Sequence, residues 1–291
     1  MGLEKRKLDE AKRRKDDEFY TRMEYIEKEL PHYDFNGKVV YCPCDRWDKS
    51  MFVKYFLQNF KKIGLKKLIA TAFVAGKCGI YYSWDGVEEV HKELIFDGDF
   101  RSFECTMIKH EADCIVTNPP FSIFREFYAW AKDKEFLIVA PLTAIVYADC
   151  FDDIKNKRIK TGITLHKHNT AFDKPDGTTS EIGAVWFTNM DNGHVPPMLE
   201  LHSMAWNMEN NKRFATECRI RGIKPYQCLD GTDILEVQSY LGIPSDFDGI
   251  MAVPTSFIQH WNYDQFDVLG RIQAPTIDGK TLYERFLIKR K

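Results

Sequence analysis

Hydrophobic positions from residue 37 to about residue 140 alternate between short apolar runs and helical periodicities. Ser50–Ile63 carries Phe52, Phe56 and Phe60 at four-residue spacing, which predicts an amphipathic helix, and Gly64 follows at the C-cap position. Short apolar runs predict strands at Val39–Cys42, Lys67–Thr71, Ala112–Thr117 and Glu135–Ala140. Strands that alternate with helices in this way predict an α/β fold with a doubly wound, mostly parallel sheet.

Four further segments complete the predicted elements. Residues 4–18 mix acidic and basic side chains at helical density, which is typical of a solvated helix face. Apolar residues 19, 20, 25, 26 and 30 then predict a helix that Pro31 ends. Asp85-Gly86 lies between two β-like runs and predicts a hairpin turn. A helix is expected over Ser122–Ala131.

The pattern changes beyond about residue 190. Glycine and proline interrupt short apolar runs from Pro196-Pro197 to Gly279, which predicts a loop-rich second region. The predicted division is therefore an N-terminal helical segment (1–36), an α/β domain (37–190) and a further region (191–291).

Composition limits the class of protein. The 291 residues are 44% hydrophobic and 14% aromatic, enough for a substantial core, and no apolar run reaches the length of a transmembrane helix. The net charge of -2 means that any nucleic-acid contact must come from a local basic patch. Eight scattered cysteines and eight histidines show no ligand spacing, so we expect free thiols, no metal site and a cytoplasmic protein without membrane association.

The most specific motif is Asn118-Pro119-Pro120-Phe121, which directly follows the strand Cys114–Thr117. Ligands bind beyond the carboxyl ends of the strands in an open α/β sheet, and this tetrapeptide stands there. Two prolines restrict φ and remove two backbone donors, so the Asn118 side chain and the Pro119 carbonyl can be held rigidly. The alternative interpretation is a rigid turn before a helix.

This arrangement suits methylation of an amino group on an aromatic ring. Such a nitrogen is a poor nucleophile because its lone pair is delocalised into the ring. Two acceptors that bind its hydrogens can draw it toward a tetrahedral geometry and free the lone pair, while Phe121 offers a stacking face for the ring.

Six segments extend this picture along the chain. They are Asp17–Thr21, Val39–Asp45, Gly64–Thr71, Asp97–Phe100, Val185–Asn189 and Asp248–Pro254. Together with the Asn-Pro-Pro-Phe motif, they make the chain resemble the EcoRI-type adenine-specific DNA methyltransferase family nearly end to end.

The resemblance implies a Rossmann-like methyltransferase fold with the cofactor motif first, the catalytic motif next and the recognition region last, the order called gamma. It implies S-adenosylmethionine as cofactor and N6 of a flipped adenine in duplex DNA as the site-specific target. A cognate restriction endonuclease is a possible partner, and no obligate protein partner is evident. Residues 1–36 would then contribute to the cofactor site, 37–190 would form the catalytic domain, and 191–291 would recognise the target.

The resemblance also implies roles for individual residues. The catalytic set is Asn118, Pro119, Pro120 and Phe121. The cofactor-binding set is Phe19, Tyr20, Thr21, Cys42, Pro43, Asp45, Asp99, Phe100 and Asn118. Two departures stand out: no glycine-rich turn follows Cys42, and no acidic residue ends the second strand. Asp45 and Asp48 are therefore the candidates for the cofactor ribose, and Tyr147 or Trp186 is a candidate for a second wall of the base pocket.

Two basic clusters are candidates for phosphate contacts. The candidate DNA-binding residues are Lys157, Arg158, Lys160, Lys167, Arg219 and Arg221. Such runs are equally typical of a solvated helix end or strand edge.

Two alternative functions stay open. The same tetrapeptide serves methyltransferases that act on guanine amines of rRNA or on a protein glutamine amide. A catalytically inactive DNA-binding relative is the second alternative, and the missing glycine turn favours it.

Overall fold

The computed structural model describes residues 19–174 and 176–291, with the side chains of 166–168 outside the description. The predicted helix face at 4–18, including Asp17 and Glu18 of the first family segment, therefore lies outside the described residues. The chain divides into two compact units. Unit 1 holds the described residues up to Ala144 together with Ile159–Gly193, and unit 2 holds Ile145–Arg158 with His194–Lys291.

Unit 1 is built on an eight-stranded sheet. Its strands are β1 (Val39–Cys42), β2 (Lys67–Ala72), β3 (Ile80–Trp84), β4 (Glu89–Glu93), β5 (Cys114–Thr117), β6 (Glu135–Pro141), β7 (Lys160–Asp173) and β8 (Thr179–Thr188). Its described helices are α1 (Met23–Glu29), α2 (Met51–Ile63), α3 (Phe103–Glu111) and α4 (Phe124–Ala131), with 3₁₀ turns at Leu30–His32 and Phe121–Ile123. A further 3₁₀ turn, Leu142–Val146, begins in unit 1 and ends in unit 2.

The sheet order is β4-β3-β2-β1-β5-β6-β8-β7. The four central strands are parallel, and an antiparallel hairpin extends the sheet at each end. The chain runs from β1 outward to β2 and returns to add β5 on the other side of β1, so the strand order reverses between β1 and β5. This topology confirms the predicted Rossmann-like class and puts the expected ligand crevice beyond the carboxyl ends of β1 and β5.

Local sequence explains the elements around this crevice. Successive residues of β1 pack on opposite faces: Val40 and Cys42 join one core cluster, and Val39 and Tyr41 join the other. The Ser50 side chain caps α2 by accepting from the amides of residues 52 and 53, and Gly64 ends the helix with a left-handed φ of 72°. The predicted bounds of β1, β2 and α2 hold to within one residue.

The predicted start of the first helix is wrong. α1 begins only at Met23. Tyr20, which the prediction placed in this helix, instead forms an antiparallel β-bridge with Asp173 of β7. Both backbone hydrogen bonds of that antiparallel pair form, at 2.7 and 3.1 Å. Pairing with the edge strand β7 therefore holds Tyr20 in an extended conformation, although local apolar spacing predicts a helix there.

Unit 2 contains three helices and six short strands. The helices are α5 (Ala148–Lys155), α6 (Met204–Asn210) and α7 (Lys212–Arg221), and 3₁₀ turns cover Tyr240–Gly242 and Thr255–His260. The strands are β9 (Leu235–Glu236), β10 (Met251–Pro254), β11 (Phe266–Ile272), β12 (Thr276–Ile277), β13 (Lys280–Thr281) and β14 (Arg285–Arg290). The sheets are β11-β14-β10-β9 and the β12–β13 hairpin.

Residues 145–158 differ from the predicted division, which assigns them to the α/β domain. They pack within unit 2, where the rings of Phe151 and Phe286 lie 5.2 Å apart and the guanidinium of Arg271 lies over Phe151. Sequence position alone does not reveal this excursion because the contacts involve residues more than 100 positions away. The functional assignment of the three predicted segments stays a prediction.

Candidate functional site

A pocket lies at the predicted crevice of unit 1. Its lining residues are Phe19, Tyr20, Thr21, Cys44, Asp45, Ser50, Met51, Phe52, Asn118 and Pro120. Three segments therefore meet here: residues 19–21 before α1, the loop after β1 with the start of α2, and the motif after β5. Six of these residues belong to the predicted catalytic and cofactor sets, and residues 44 and 50–52 are additional.

A buried carboxylate holds the loop after β1. The Asp45 side chain, in a residue only 7% exposed, accepts hydrogen bonds from the hydroxyls of Ser50 and Thr117, both at 2.5 Å. The Asp45 amide donates to the Thr71 carbonyl at 2.9 Å. This one residue thereby ties together the ends of β1, β2 and β5 and the N-terminus of α2, where negative charge is favourable. Its partner Thr117 has no sequence signal beyond its place at a strand end.

The Asn118 side chain has two different environments. Its Nδ2 donates to the backbone carbonyl of Phe19 at 2.5 Å. Its Oδ1 is buried and has no hydrogen-bond partner among the described residues, and the same is true of Thr21 Oγ1. Buried polar atoms are nearly always paired, so two unpaired acceptors in one pocket indicate a ligand-binding site.

Aromatic rings close one side of the motif. Phe19, Phe121 and Phe172 form a trio with centroid separations of 5.9, 6.1 and 6.2 Å. Phe121 is half-buried and Pro119 is buried, and neither lines the pocket. The predicted stacking role of Phe121 stays a prediction.

The segment 19–22 is anchored on β7. Besides the backbone pair of Tyr20 with Asp173, the Arg22 guanidinium donates to the Asp173 carboxylate at 2.8 Å and to Thr179 Oγ1 at 3.0 Å. These bonds bring residues far apart in sequence to the same pocket.

The loop that carries Asp99 folds back onto the end of β2. Gly98 has φ +82°, and a Cβ there would lie 2.3 Å from the Ala72 carbonyl oxygen, so only glycine permits this approach. The Asp99 carboxylate accepts from the Arg101 amide and guanidinium at 2.8–3.0 Å. Neither Asp99 nor Phe100 lines the pocket, and Phe100 is buried 5.0 Å from the Phe127 ring.

Four other predicted residues lie outside the pocket lining. Cys42 is fully buried in β1, and burial raises the pKa of its thiol well above the usual range. The Pro43 carbonyl accepts from Thr71 Oγ1 at 3.1 Å, and the Asp48 carboxylate accepts from Arg46 at 2.7 Å. Trp186 is fully buried and packs against Phe52, 6.0 Å between centroids, so its side chain lies in the core.

The candidate DNA-binding residues occupy both units. Lys160 belongs to unit 1 and contacts Asp191 at 3.2 Å, and the side chain of Lys167 lies outside the description. Four more belong to unit 2: Lys157 over the Tyr263 ring, Arg158 paired with Asp153, exposed Arg219, and Arg221 at 3.5 Å from Glu217. Their roles stay predictions.

Two kinds of feature are absent from the described part of the chain. No group of three or more metal-ligating side chains occurs within residues 19–174 and 176–291. Over the same residues, no helix has the length and apolar character needed to cross a membrane.

Comparison with known proteins gives consistent matches. A family model described as "Adenine-specific methyltransferase EcoRI" matches residues 7–89 and 82–291. The Type II methyltransferase M.EcoRI of Escherichia coli is 35% identical, with 98% of this chain and 96% of the relative covered. The Type II methyltransferase M.MpnI of Mycoplasma pneumoniae is 30% identical, with 94% and 88% covered.

A third relative, the Type II methyltransferase M.MgeORF184P of Mycoplasma genitalium, is 29% identical, with 96% and 90% covered. No solved structure matches the chain. The family model spans the catalytic motif and all of the described residues. The predicted family is therefore confirmed: the chain belongs to the EcoRI-type adenine-specific methyltransferases.

Proposed function

We propose that this chain is a site-specific DNA methyltransferase that uses S-adenosylmethionine to methylate N6 of an adenine flipped out of duplex DNA. Family membership supports this function, and the three relatives are named Type II methyltransferases. The observation that carries the proposal within the structure is the unpartnered, buried Oδ1 of Asn118 at the carboxyl end of β5. An acceptor there suits a substrate that brings N–H groups.

The motif acts on the amine of the flipped base. Asn118 Oδ1 and the Pro119 carbonyl oxygen each accept one hydrogen bond from the amine. These two bonds draw the nitrogen toward a tetrahedral geometry, in which its lone pair is no longer conjugated with the ring. Positive charge grows on that nitrogen during reaction, so both hydrogen bonds strengthen in the transition state. Pro119 and Pro120 keep the acceptors in place because their φ angles are restricted. Flipping costs a few kcal/mol, and stacking of the base on Phe121 offsets part of it.

The pocket fits the cofactor that the family implies. S-adenosylmethionine supplies an electrophilic methyl group on a sulfonium. The unpartnered Thr21 hydroxyl and the N-terminus of α2 suit its carboxylate, and Asp45 remains the candidate for its ribose hydroxyls. Asp99 is the candidate for its adenine amine, next to the end of β2.

Unit 2, which holds residues 194–291 of the predicted recognition region, is proposed to recognise the target sequence. Arg221 lines a cleft of about 650 Å³ together with Lys280 and the exposed Tyr283, and Arg219 is exposed on the same helix. Lysine and arginine contacts to phosphates dominate affinity for DNA. A restriction endonuclease that cuts the same unmethylated site is the partner this function implies.

The alternative functions are less well supported. Methylation of a guanine amine or a glutamine amide needs the same motif, but the family is described as adenine-specific. The inactive alternative depends on the missing glycine turn. In this chain the carboxylate of Asp45 organises that loop through Ser50 and Thr117, so an ordered pocket forms without the glycines.

The test is a methylation assay on DNA followed by mass spectrometry of the hydrolysed nucleosides. We expect N6-methyladenine and no 5-methylcytosine from the wild type. Asn118→Ala should keep less than a tenth of the wild-type kcat, a loss above about 1.4 kcal/mol, while calorimetry shows cofactor binding largely intact. Asn36→Ala, which changes an exposed asparagine, is the matched control and should be fully active. Methyl transfer to rRNA or protein instead of DNA would contradict the proposal.

A further inference from the structure

The orientation of the Asn118 amide is set by a bond that reaches across 99 residues. A side-chain amide presents one acceptor and one donor group, and the two occupy nearly the same volume. Only the donor can face the Phe19 carbonyl, which has no hydrogen to give. The 2.5 Å contact with Nδ2 therefore turns Oδ1 to the opposite side, where it has no partner.

We infer that the backbone carbonyl of Phe19 is a positioning group for catalysis: it selects the amide orientation in which Asn118 presents an acceptor to the substrate amine. This inference rests on the proposed function. The reversed amide would present two N–H groups to an amine that also needs to donate, and the amine could not be held. In this role the Phe19 carbonyl acts on the amine through Asn118, so it is a positioning group.

The Phe19 carbonyl is itself held firmly. The next residue, Tyr20, forms two backbone hydrogen bonds with Asp173, and the Phe19 ring packs on Phe121 and Phe172. The same segment lines the pocket through Thr21. The cofactor pocket and the catalytic amide therefore share one wall, so displacement of residues 19–21 changes both at once.

This geometry explains why an amide, and not a carboxylate, suits this position. An ionised carboxylate would direct a negative oxygen at the Phe19 carbonyl oxygen, and the two acceptors would repel each other. A protonated carboxyl group could donate to Phe19 through one oxygen and accept from the amine through the other. The substitution Asn118→Asp therefore converts a fixed orientation into one that depends on protonation.

The surrounding charges favour the protonated form of that carboxyl group. The titratable side chains that line the pocket are Tyr20 and Cys44, together with the Asp45 carboxylate. Two cations lie close to this segment: Lys174 Nζ is 5.8 Å from the Phe19 ring centroid, and the Arg22 guanidinium is neutralised by the Asp173 carboxylate at 2.8 Å. Burial and the neighbouring Asp45 carboxylate both raise the pKa expected for an aspartate introduced at position 118.

The experiment compares pH–rate profiles of the wild type, Asn118→Asp and Asn118→Ala in single-turnover methylation of DNA. Above the pKa of the introduced carboxyl, the Asn118→Asp rate should fall about tenfold per pH unit relative to the wild type. The ratio of Asn118→Ala to wild type should stay constant with pH. An Asn118→Asp profile parallel to that of the wild type, or no faster than Asn118→Ala at any pH, would overturn the inference.

A second measurement does not depend on activity. In the ¹⁵N-labelled wild type, the side-chain amide protons of Asn118, assigned by their loss in Asn118→Ala, should exchange with water at least tenfold more slowly than those of exposed Asn36. Equal exchange rates would overturn the proposed hydrogen bond. A wild type that transfers no methyl group to DNA would instead overturn the proposed function, with the exchange result still testing the Phe19 contact.

Discussion

The two loops predicted to hold the cofactor differ in how their aspartates are satisfied. Asp45 is buried, and its carboxylate bonds to two hydroxyls that come from other elements, Ser50 and Thr117. The Asp99 carboxylate accepts from Arg101, two residues away, and Arg101 also pairs with Glu126 of α4. The first loop lines the pocket and the second does not. The Asp45 carboxylate bonds directly to side chains of two other elements and shapes the pocket, whereas the bonds that Asp99 accepts from Arg101 order the second loop.

The strongest way to break this contrast is to remove the Asp45 carboxylate. Asp45→Ala leaves two buried hydroxyls without their acceptor, so we expect the free energy of unfolding to fall by about 3 kcal/mol, since hydrogen bonds to charged groups contribute about 1.5–3 kcal/mol. Urea denaturation measures this loss. Asp48→Ala, on the same loop but paired with Arg46 at the surface, is the stability control and should change the free energy of unfolding by less than about 0.5 kcal/mol. Equal losses would mean that Asp45 does not organise the crevice.

A second test concerns a predicted catalytic residue outside the pocket lining. Phe121→Ala removes a stacking face worth about 1–3 kcal/mol per base, so methylation of normal duplex DNA should slow accordingly. A duplex with a mispaired target adenine is easier to extrude, so it should lose less. Phe103→Ala, at a 73% exposed phenylalanine, is the control. Equal losses on both substrates would assign Phe121 to packing alone.

Replacing Asp99 and its partner Arg101 one at a time sharpens the contrast between the two loops. Asp99→Ala should raise the Kd for S-adenosylmethionine about tenfold, roughly 1.4 kcal/mol, and affect DNA affinity less. Arg101→Ala keeps the carboxylate, so calorimetry should find a smaller effect on cofactor affinity. If both variants bind the cofactor like the wild type, the adenine-binding role of Asp99 is wrong.

The smallest effect is expected at the buried thiol before the motif. Cys114 lies in the core of β5, and burial raises the pKa of its thiol far above the usual value of about 8.5. Cys114→Ser should therefore still produce N6-methyladenine and no 5-methylcytosine, because no thiolate takes part. A covalent adduct with 5-fluorocytosine DNA would contradict this mechanism.

The raised pKa of the Cys114 thiol also makes the stability of the fold depend on pH. As pH rises above about 8.5, the unfolded thiol loses its proton while the folded one keeps it, so ionisation favours the unfolded chain and stability falls. Calorimetry should show the wild-type Tm falling from pH 8 to pH 10, and falling less in Cys114→Ser. An identical decline in both proteins would assign it to other groups.

Much of unit 1 could be predicted because its signals are local. The periodic phenylalanines of α2 and its caps at Ser50 and Gly64 lie within 15 residues of sequence. The position of Asn118 at a strand end is also a local feature. Ligands bind where the strand order reverses, here between β1 and β5, so that position indicates a binding site.

The internal contacts of the site could not be predicted in this way. Thr117 meets Asp45 across 72 residues and Asn118 meets Phe19 across 99, so these bonds exist only after the sheet has formed. The same reason explains the wrong helix start: Tyr20 pairs with Asp173, a partner that local spacing cannot reveal.

The excursion of the chain at Ile145–Arg158 has a consequence for exchanging target specificity between relatives. Because α5 belongs to unit 2, that unit is discontinuous in sequence and joined to unit 1 by three covalent crossings. A graft that moves only the C-terminal hundred residues would separate Phe286 from Phe151 and leave a foreign helix against a transplanted sheet. Chimeras that carry both segments together keep that packing, so if unit 2 recognises the target as proposed, the unit to exchange is a pair of segments.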